Sequence, residues 1–221
     1  MTGENEVSDP GDADGTDDRD GDDIDDTRST TRETLAQRRG LDEPVYQPAE
    51  DSGLLAEAGR EHARGVVVEV GTGSGWVASE VTGAAAVERV VGTDVNPHAC
   101  RRARQRGVEA VRADLLDPLR NDTVDTLLFN PPYLPTTPET EWDDWQERAL
   151  SGGDTGRAVI EPFLRDAPRV LAADGRALLL VSSLTGFADV VEHAVDCGFH
   201  AETVVEESYP YETLSVLLLE L

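Results

Sequence analysis

One stretch, residues 66–75, limits what this chain can fold into more than any other: Val-Val-Val-Glu-Val-Gly-Thr-Gly-Ser-Gly. Four valines around Glu69 form a short, β-branched run, the composition of a strand buried on both faces of a parallel sheet. Gly71, Gly73 and Gly75 then alternate with Thr72 and Ser74. Glycine permits positive φ and leaves no Cβ in the path of a ligand. A helical pattern begins at Trp76, so a strand, a glycine loop and a helix N-terminus follow in series. The series predicts a nucleotide cradle.

Spacing narrows the nucleotide. A dinucleotide fingerprint places glycines at its first, third and sixth positions, and here the sixth is Trp76. A P-loop needs Gly-Lys-Ser/Thr, and the chain contains no lysine. Glu-Val-Gly-Thr-Gly-Ser-Gly resembles instead the first motif of the S-adenosylmethionine-dependent methyltransferases with a Rossmann-like fold. A glycine-rich turn without a ligand is the plainer alternative, and the flanking strand and helix argue against it.

At 221 residues the chain fits one domain with a sizeable core plus a tail. Its formal net charge is −26. Residues 1–26 hold twelve acids and one arginine, yet the remainder still carries 33 acids against 18 arginines. Acidity spread in this way reads as adaptation to a high-salt cytoplasm, with a specific basic ligand as the competing explanation. Cys100 and Cys197 make no disulfide framework and suit a reducing cytosol. The polar start resembles no signal peptide, and no apolar run approaches the ~20 residues that span a bilayer. A soluble, cytoplasmic protein is expected, with residues 1–40 as an acidic, largely disordered tail that includes a short helix over 27–40. Residues 41–221 form the folded domain.

Within that domain, a helix through Leu54, Leu55 and Ala58 follows Pro48, with Asp51 or Ser52 as its cap. Another helix is expected over 76–86. Residues 87–94 read as a strand ending in Asp94, placed where a carboxylate grips ribose hydroxyls. After an arginine-rich helix over 96–106, the strand over 108–114 ends in Asp114, which suits the adenine amine. The strand over 123–129 runs into Asn130-Pro131-Pro132-Tyr133. Two prolines lock the backbone there and remove amide donors, leaving carbonyls at the ligand-binding edge of an open sheet. Trp142 and Trp145, in a long connection, belong either to the core or to the wall of a substrate slot. An amphipathic helix running through Leu171 follows the segment 151–157. A turn at Asp174-Gly175, a strand over 176–182, a helix over 186–197 and strands near 201–206 and 213–220 complete the domain. His193, Cys197 and His200 straddle a helix end and a turn, and read as structural rather than metal ligands.

Val-Tyr-Gln-Pro-Ala-Glu-Asp-Ser, Glu-Val-Gly-Thr-Gly-Ser-Gly, Thr-Asp-Val-Asn-Pro and Asn-Pro-Pro-Tyr occur in one order from Val45 onward. Together they resemble the HemK-like protein-glutamine N5-methyltransferases, which modify the glutamine of the Gly-Gly-Gln loop in release factors. Gly-Gly-x-x-Gly-Arg over 152–157 fits as well. The resemblance implies a class I methyltransferase fold with a seven-stranded, mostly parallel sheet, and S-adenosylmethionine as cofactor. Cofactor contacts are implied at Tyr46, Ser52, Glu69, Gly71, Gly73, Asp94, Asp114, Leu115 and Asn130. Substrate contacts are implied at Asn130, Pro131, Pro132 and Tyr133, with Asn130, Pro131 and Tyr133 carrying catalysis. No metal site is implied. The chain looks like the short archaeal and eukaryotic branch, whose members work with a small zinc-binding activator in a heterodimer. The edge strand expected over 108–113 is the candidate docking edge. Gln47 stands where the family pattern has Glu, a change of little weight if the position is exposed.

The Asn130 side-chain oxygen and the Pro131 carbonyl suit the two N–H groups of any planar –NH₂ nucleophile. The rival reading is therefore N-methylation of an exocyclic amine of adenine or guanine in RNA or DNA. Neither a recognition domain, a basic stripe nor a stacking-aromatic series supports that rival, and the segment 46–52 favours the protein-glutamine branch. A non-catalytic scaffold is a further alternative, disfavoured by the intact Glu69, Asp94, Asp114 and Asn130.

Overall fold

The computed structural model describes residues 45–136 and 145–221. The expected tail, the helix expected over 27–40 and Trp142 lie outside them. The described elements run helix α1 (Glu50–His62), β1 (Gly65–Val70), α2 (Trp76–Val81), β2 (Val87–Asp94), α3 (Pro97–Gln105), β3 (Glu109–Arg112) and β4 (Val124–Phe129). They continue with α4 (Trp145–Leu150), α5 (Ile160–Val170), β5 (Leu171–Ser182), α6 (Phe187–Asp196), β6 (His200–Ser208) and β7 (Thr213–Glu220).

The strands make one seven-stranded sheet in the order β3-β2-β1-β4-β5-β7-β6. β1 through β5 pair in parallel, and β7 runs antiparallel between β5 and β6. This is the mostly parallel sheet that the sequence predicts. From β1 the chain steps outward through β2 and β3, then returns to the opposite side of β1 with β4. The order therefore reverses between β1 and β4, and ligands of open α/β sheets sit beyond the strand ends at such a point.

Side chains alternate between two cores. Val67, Leu128, Leu178 and Val216 pack with α1, α2 and α3, whereas Val68, Leu127, Phe129 and Leu179 pack with α5 and α6. Burial on both faces explains why these strands read as continuous apolar runs. Phe129 lies 4.7 Å from Phe163 between ring centroids, and both are fully buried. Each such ring contributes about 1.5–3 kcal/mol through removal from water.

Several boundaries differ from the sequence reading. Helix α1 starts with Ala49 as N-cap and no side-chain cap, so Asp51 and Ser52 lie inside its first turn. Helix α2 stops at Val81 because Gly83 takes φ +93 just beyond it. Helix α5 ends at Val170 and β5 begins immediately, its expected turn being a bulge within the strand. Leu171 pairs with Val124 and Arg176 with Thr126, so residues 172–175 loop out opposite Asp125. Gln47 is half-buried and donates to the Val45 carbonyl, rather than being exposed.

Arginine side chains fasten loops to this frame by donating to backbone carbonyls. Arg64 donates to Asp174 O, Arg104 to Ala110 O, Arg106 to Ser74 O and Arg112 to Val95 O. Arg169 reaches both Leu116 O and Leu119 O. No helix among the described residues is long and apolar enough to cross a membrane.

Candidate active site

Parallel pairing of β1 with β4 puts Val70 opposite Phe129, so the glycine loop and the Asn-Pro-Pro-Tyr segment leave adjacent strands side by side. On the other flank Val70 is opposite Thr93, which brings Asp94 to the same edge. A cleft of about 630 Å³ opens there. All twelve sequence-predicted site residues line it: Tyr46, Ser52, Glu69, Gly71, Gly73, Asp94, Asp114, Leu115, Asn130, Pro131, Pro132 and Tyr133.

Hydrogen bonds fix the loop from within. Glu69 is 4% exposed, and its Oε2 accepts from Thr72 Oγ1 at 2.5 Å and from the Ala78 N–H at 3.0 Å. One carboxyl thus ties the loop to the first turns of α2. Burial outweighs these two bonds and pushes its pKa up to about 8. Asp94 Oδ2 accepts from the Gly73 N–H and Oδ1 from the Asn96 N–H, each at 2.8 Å. Its pKa is raised by burial against the pull of these amides. Each oxygen keeps a second acceptor site. Gly75 at φ +74 has a separate reason to be glycine: a Cβ would lie 2.8 Å from the Cα and Cβ of Ala103 in α3. The fifth-position glycine thus provides a close loop–helix contact, made with the following helix rather than its own.

Asp114 departs from expectation. Strand β3 ends at Arg112, and Asp114 sits exposed in the turn beyond it. Leu115 next to it takes φ +42, a conformation that costs a non-glycine residue about 1–3 kcal/mol. Both still line the cleft. Tyr46 donates through its hydroxyl to Asp51 Oδ2 at 3.1 Å, and Asp51 Oδ1 accepts from the Ser52 N–H at 2.6 Å. Burial, then a hydrogen bond with Glu207, raises the Tyr209 phenol to about 12, with the Glu50 and Asp51 charges adding to the shift.

Across the cleft the chemistry changes. Asn130 Oδ1 is buried and takes no hydrogen bond among the described residues. Tyr133 is 8% exposed, and Trp145 and Arg148 stand at the wall of the same cleft. Among the described residues no histidine lines it.

Residues 68–131 match the methyltransferase domain family. A Methanocaldococcus jannaschii protein named as a protein N5-glutamine methyltransferase is 32% identical over 179 residues, covering 78% of this chain and 90% of the relative. The chain belongs to the HemK-like protein N5-glutamine methyltransferases. HEMK2 of Homo sapiens is 31% identical over 194 residues, covering 81% of this chain and 91% of its own. A chain of the E. cuniculi Mtq2–Trm112 complex, responsible for methylation of the eRF1 termination factor, superposes with a TM-score of 0.67. Its identity is 30%, over 80% of this chain and 99% of that one.

As a HemK-like enzyme the protein uses S-adenosylmethionine, and the cleft fits that cofactor. It offers a carboxylate with free acceptor sites at Asp94, an open glycine cradle, and an unsatisfied amide oxygen on the far wall. Sequence reasoning missed three supporting residues. Thr72 braces Glu69, and Gly92 makes room for it, since a Cβ there would lie 2.6 Å from Thr72 Oγ1. Asn96 caps α3 by accepting from the His98 N–H at 2.9 Å, and the Asn-Pro pair at a helix start was its available signal. Of the residues weighed as metal ligands, His193 and Cys197 are half-buried and His200 is exposed. No metal-binding group of three occurs among the described residues.

Proposed function

We propose that this enzyme methylates N5 of the glutamine in the Gly-Gly-Gln motif of a translation release factor. The observation that carries the reading is Asn130 Oδ1, buried at the end of β4 with no hydrogen-bond partner among the described residues. Leaving such an oxygen unpaired costs about 1–3 kcal/mol, a cost relieved by a substrate N–H. A glutamine side-chain amide presents two, and the Pro131 carbonyl is the second acceptor. An amide nitrogen is a weak nucleophile because its lone pair is delocalised into the carbonyl. The two acceptors orient it and stabilise positive charge growing on it. Tyr133 packs against the amide plane. S-adenosylmethionine, when bound, supplies an already activated methyl group, so no general base with a shifted pKa is needed before transfer.

Asp94 would hold the ribose hydroxyls through its unused acceptor sites, Asp114 would accept from the adenine amine, and Leu115 would add a cofactor contact. Gly71 and Gly73 leave room for the donor. Tyr46 and Ser52 would add cofactor contacts, and Glu69 shapes the glycine loop through Thr72 and Ala78. The relatives named for eRF1 and release-factor methylation support the choice of substrate. The Mtq2–Trm112 complex supports a partner protein, which we take to be a small zinc-binding activator. Strand β3, at one edge of the sheet with Val111 half-exposed, is the docking edge we assign to it over residues 108–113.

The test is methyl transfer in high salt from labelled S-adenosylmethionine. A release factor with its loop glutamine intact or changed to alanine is offered to the enzyme, with and without the activator. Label that disappears with the glutamine is the expected result. Label that ignores it, or that appears only on RNA or DNA, overturns the reading in favour of a nucleobase substrate.

A further inference from the structure

The Gly-Gly-x-x-Gly-Arg segment over 152–157 takes no part in the mechanism above, yet it is bound to the residues that do. Leu134, directly after Tyr133, donates its N–H to Leu150 O at 3.0 Å and accepts from the Gly152 N–H at 2.9 Å. Thr136 donates its N–H to Gly153 O at 3.0 Å, and its hydroxyl pairs with that of Ser151 at 2.5 Å. A short parallel bridge between Leu134 and Ser151 results. Gly156, at φ +74, closes the contact: a Cβ there would lie 2.7 Å from the Tyr133 carbonyl oxygen. The segment is a strap laid along Tyr133, Leu134 and Thr136, just beyond the acceptor residues.

Arg157 fastens the end of that strap. Its Nη1 donates to Thr185 O at 2.5 Å and pairs with Asp189 Oδ2 at 3.0 Å, and its Nε lies 3.6 Å from Glu161 Oε1. Its side chain is only 21% exposed. Gly186 admits this arrangement, since a Cβ there would lie 2.7 Å from Asp189 Oδ2 and 3.0 Å from Arg157 Nη1. The carbonyl of Thr185 ends a short 3-10 turn after β5, and a guanidinium suits it because one fork serves both carbonyl and carboxylate. Neither Arg157 nor Thr185 lines the cleft.

We infer that Arg157 is a positioning residue for the acceptor half of the site, acting through Gly156 on the carbonyl of Tyr133. The inference rests on the glutamine-methylating reading, and it divides the cleft. Loss of the Arg157 anchor displaces Tyr133 relative to Asn130, whereas the glycine loop and Asp94, held by their own bonds, keep their geometry. A displacement of order 1 Å in a positioning element lowers turnover by about a hundredfold at most.

The experiment compares wild type, Arg157→Gln, Arg157→Lys and Gly156→Ala in the presence of the activator. It records kcat and KM for the release factor and the dissociation constant for S-adenosylmethionine. Arg157→Gln is expected to lower kcat by about ten- to a hundredfold with cofactor affinity within twofold of wild type. Arg157→Lys, which keeps the charge on Thr185 O, recovers part of the loss. Gly156→Ala, if folded, shows the same split. Should Gly156→Ala fail to fold, Asp189→Asn replaces it, with a smaller effect of the same kind. Equal losses of cofactor affinity and turnover in Arg157→Gln, or wild-type kcat in it, overturn the inference. So does an Arg157→Lys variant no better than Arg157→Gln. Wild-type label that persists without the loop glutamine overturns the underlying reading instead.

Discussion

The two halves of the cleft are built on opposite plans. On the donor side, Glu69, Thr72, Gly73, Asp94 and Asn96 bind one another within a span of 28 residues. Each of these residues has a hydrogen-bond partner before any ligand arrives. On the acceptor side, Asn130 holds a buried oxygen with no partner among the described residues, and the chain just beyond it is held at Leu134 and Thr136 by a strap at Leu150, Gly152 and Gly153. A site that must grip a cofactor in every cycle gains from being rigid and complete. A site that must recognise one amide gains from leaving an acceptor open, because a substrate without the N–H leaves that oxygen unpaired.

If the division holds, damage to the two halves separates cleanly. The largest effect is expected from Asn130→Ala, a fall in kcat of about a hundred- to a thousandfold with cofactor binding retained. Calorimetric titration of S-adenosylmethionine beside single-turnover kinetics checks it, and a matching loss of affinity breaks the comparison. Asp94→Ala is the converse. A charge-assisted hydrogen bond of about 1.5–3 kcal/mol makes cofactor affinity fall by about ten- to a hundredfold, with turnover at saturating cofactor changed far less.

Gly75→Ala probes the packing beneath the donor loop. Its new Cβ would meet Ala103 at 2.8 Å and would sit at φ +74, so a loss of about 1–3 kcal/mol is expected in urea unfolding. The same variant weakens cofactor binding, and a neutral result in both measurements contradicts the packing argument. Glu69→Gln should have the smallest effect, and one visible mainly against pH. Its carboxyl rises from 4.5 in the unfolded chain to about 8 when folded. The folded state therefore holds the proton that the unfolded state has released. That contribution to stability is complete below about pH 4.5 and is lost as pH climbs through about 8. Glutamine has no proton to hold, so the variant should lose less stability than wild type between these limits. Parallel melting curves for the two proteins would show that Glu69 is not desolvated as described.

How much of this was legible in the sequence follows from which residues announce their own geometry. Glycine and proline restrict or release the backbone, so Gly71, Gly73, Gly75 and the Pro131-Pro132 pair marked both loops of the cleft. Valine-rich runs marked the central strands because burial on two faces leaves no polar position. Asp114 was harder. Pairing of β3 ends at Arg112, and the turn that carries Asp114 depends on Leu115 taking a left-handed conformation that leucine does not advertise. The bulge at 172–175 was read as a turn between elements, because Asp-Gly signals a local reversal and not the pairing register around it. Gly-Gly-x-x-Gly-Arg stands out in the sequence, but its role as a strap does not. Its contacts join Leu134 to Gly152 and Arg157 to Thr185, and no local pattern encodes a partner so far along the chain.

The arginine-to-carbonyl fastenings bear on how the molecule meets its solvent. At an ionic strength of 1 M the Debye length shrinks to about 3 Å, so pairs between surface charges such as Arg60–Glu80 and Arg89–Glu109 fade. A guanidinium on a backbone oxygen has no opposing ion for salt to mask. The repulsion among 45 carboxylates is masked at the same time. Added salt thus removes what pushes the surface apart and spares the stitches at Arg64, Arg104, Arg106 and Arg112. The fold should tighten as brine replaces buffer, with the urea midpoint rising from dilute to molar potassium chloride.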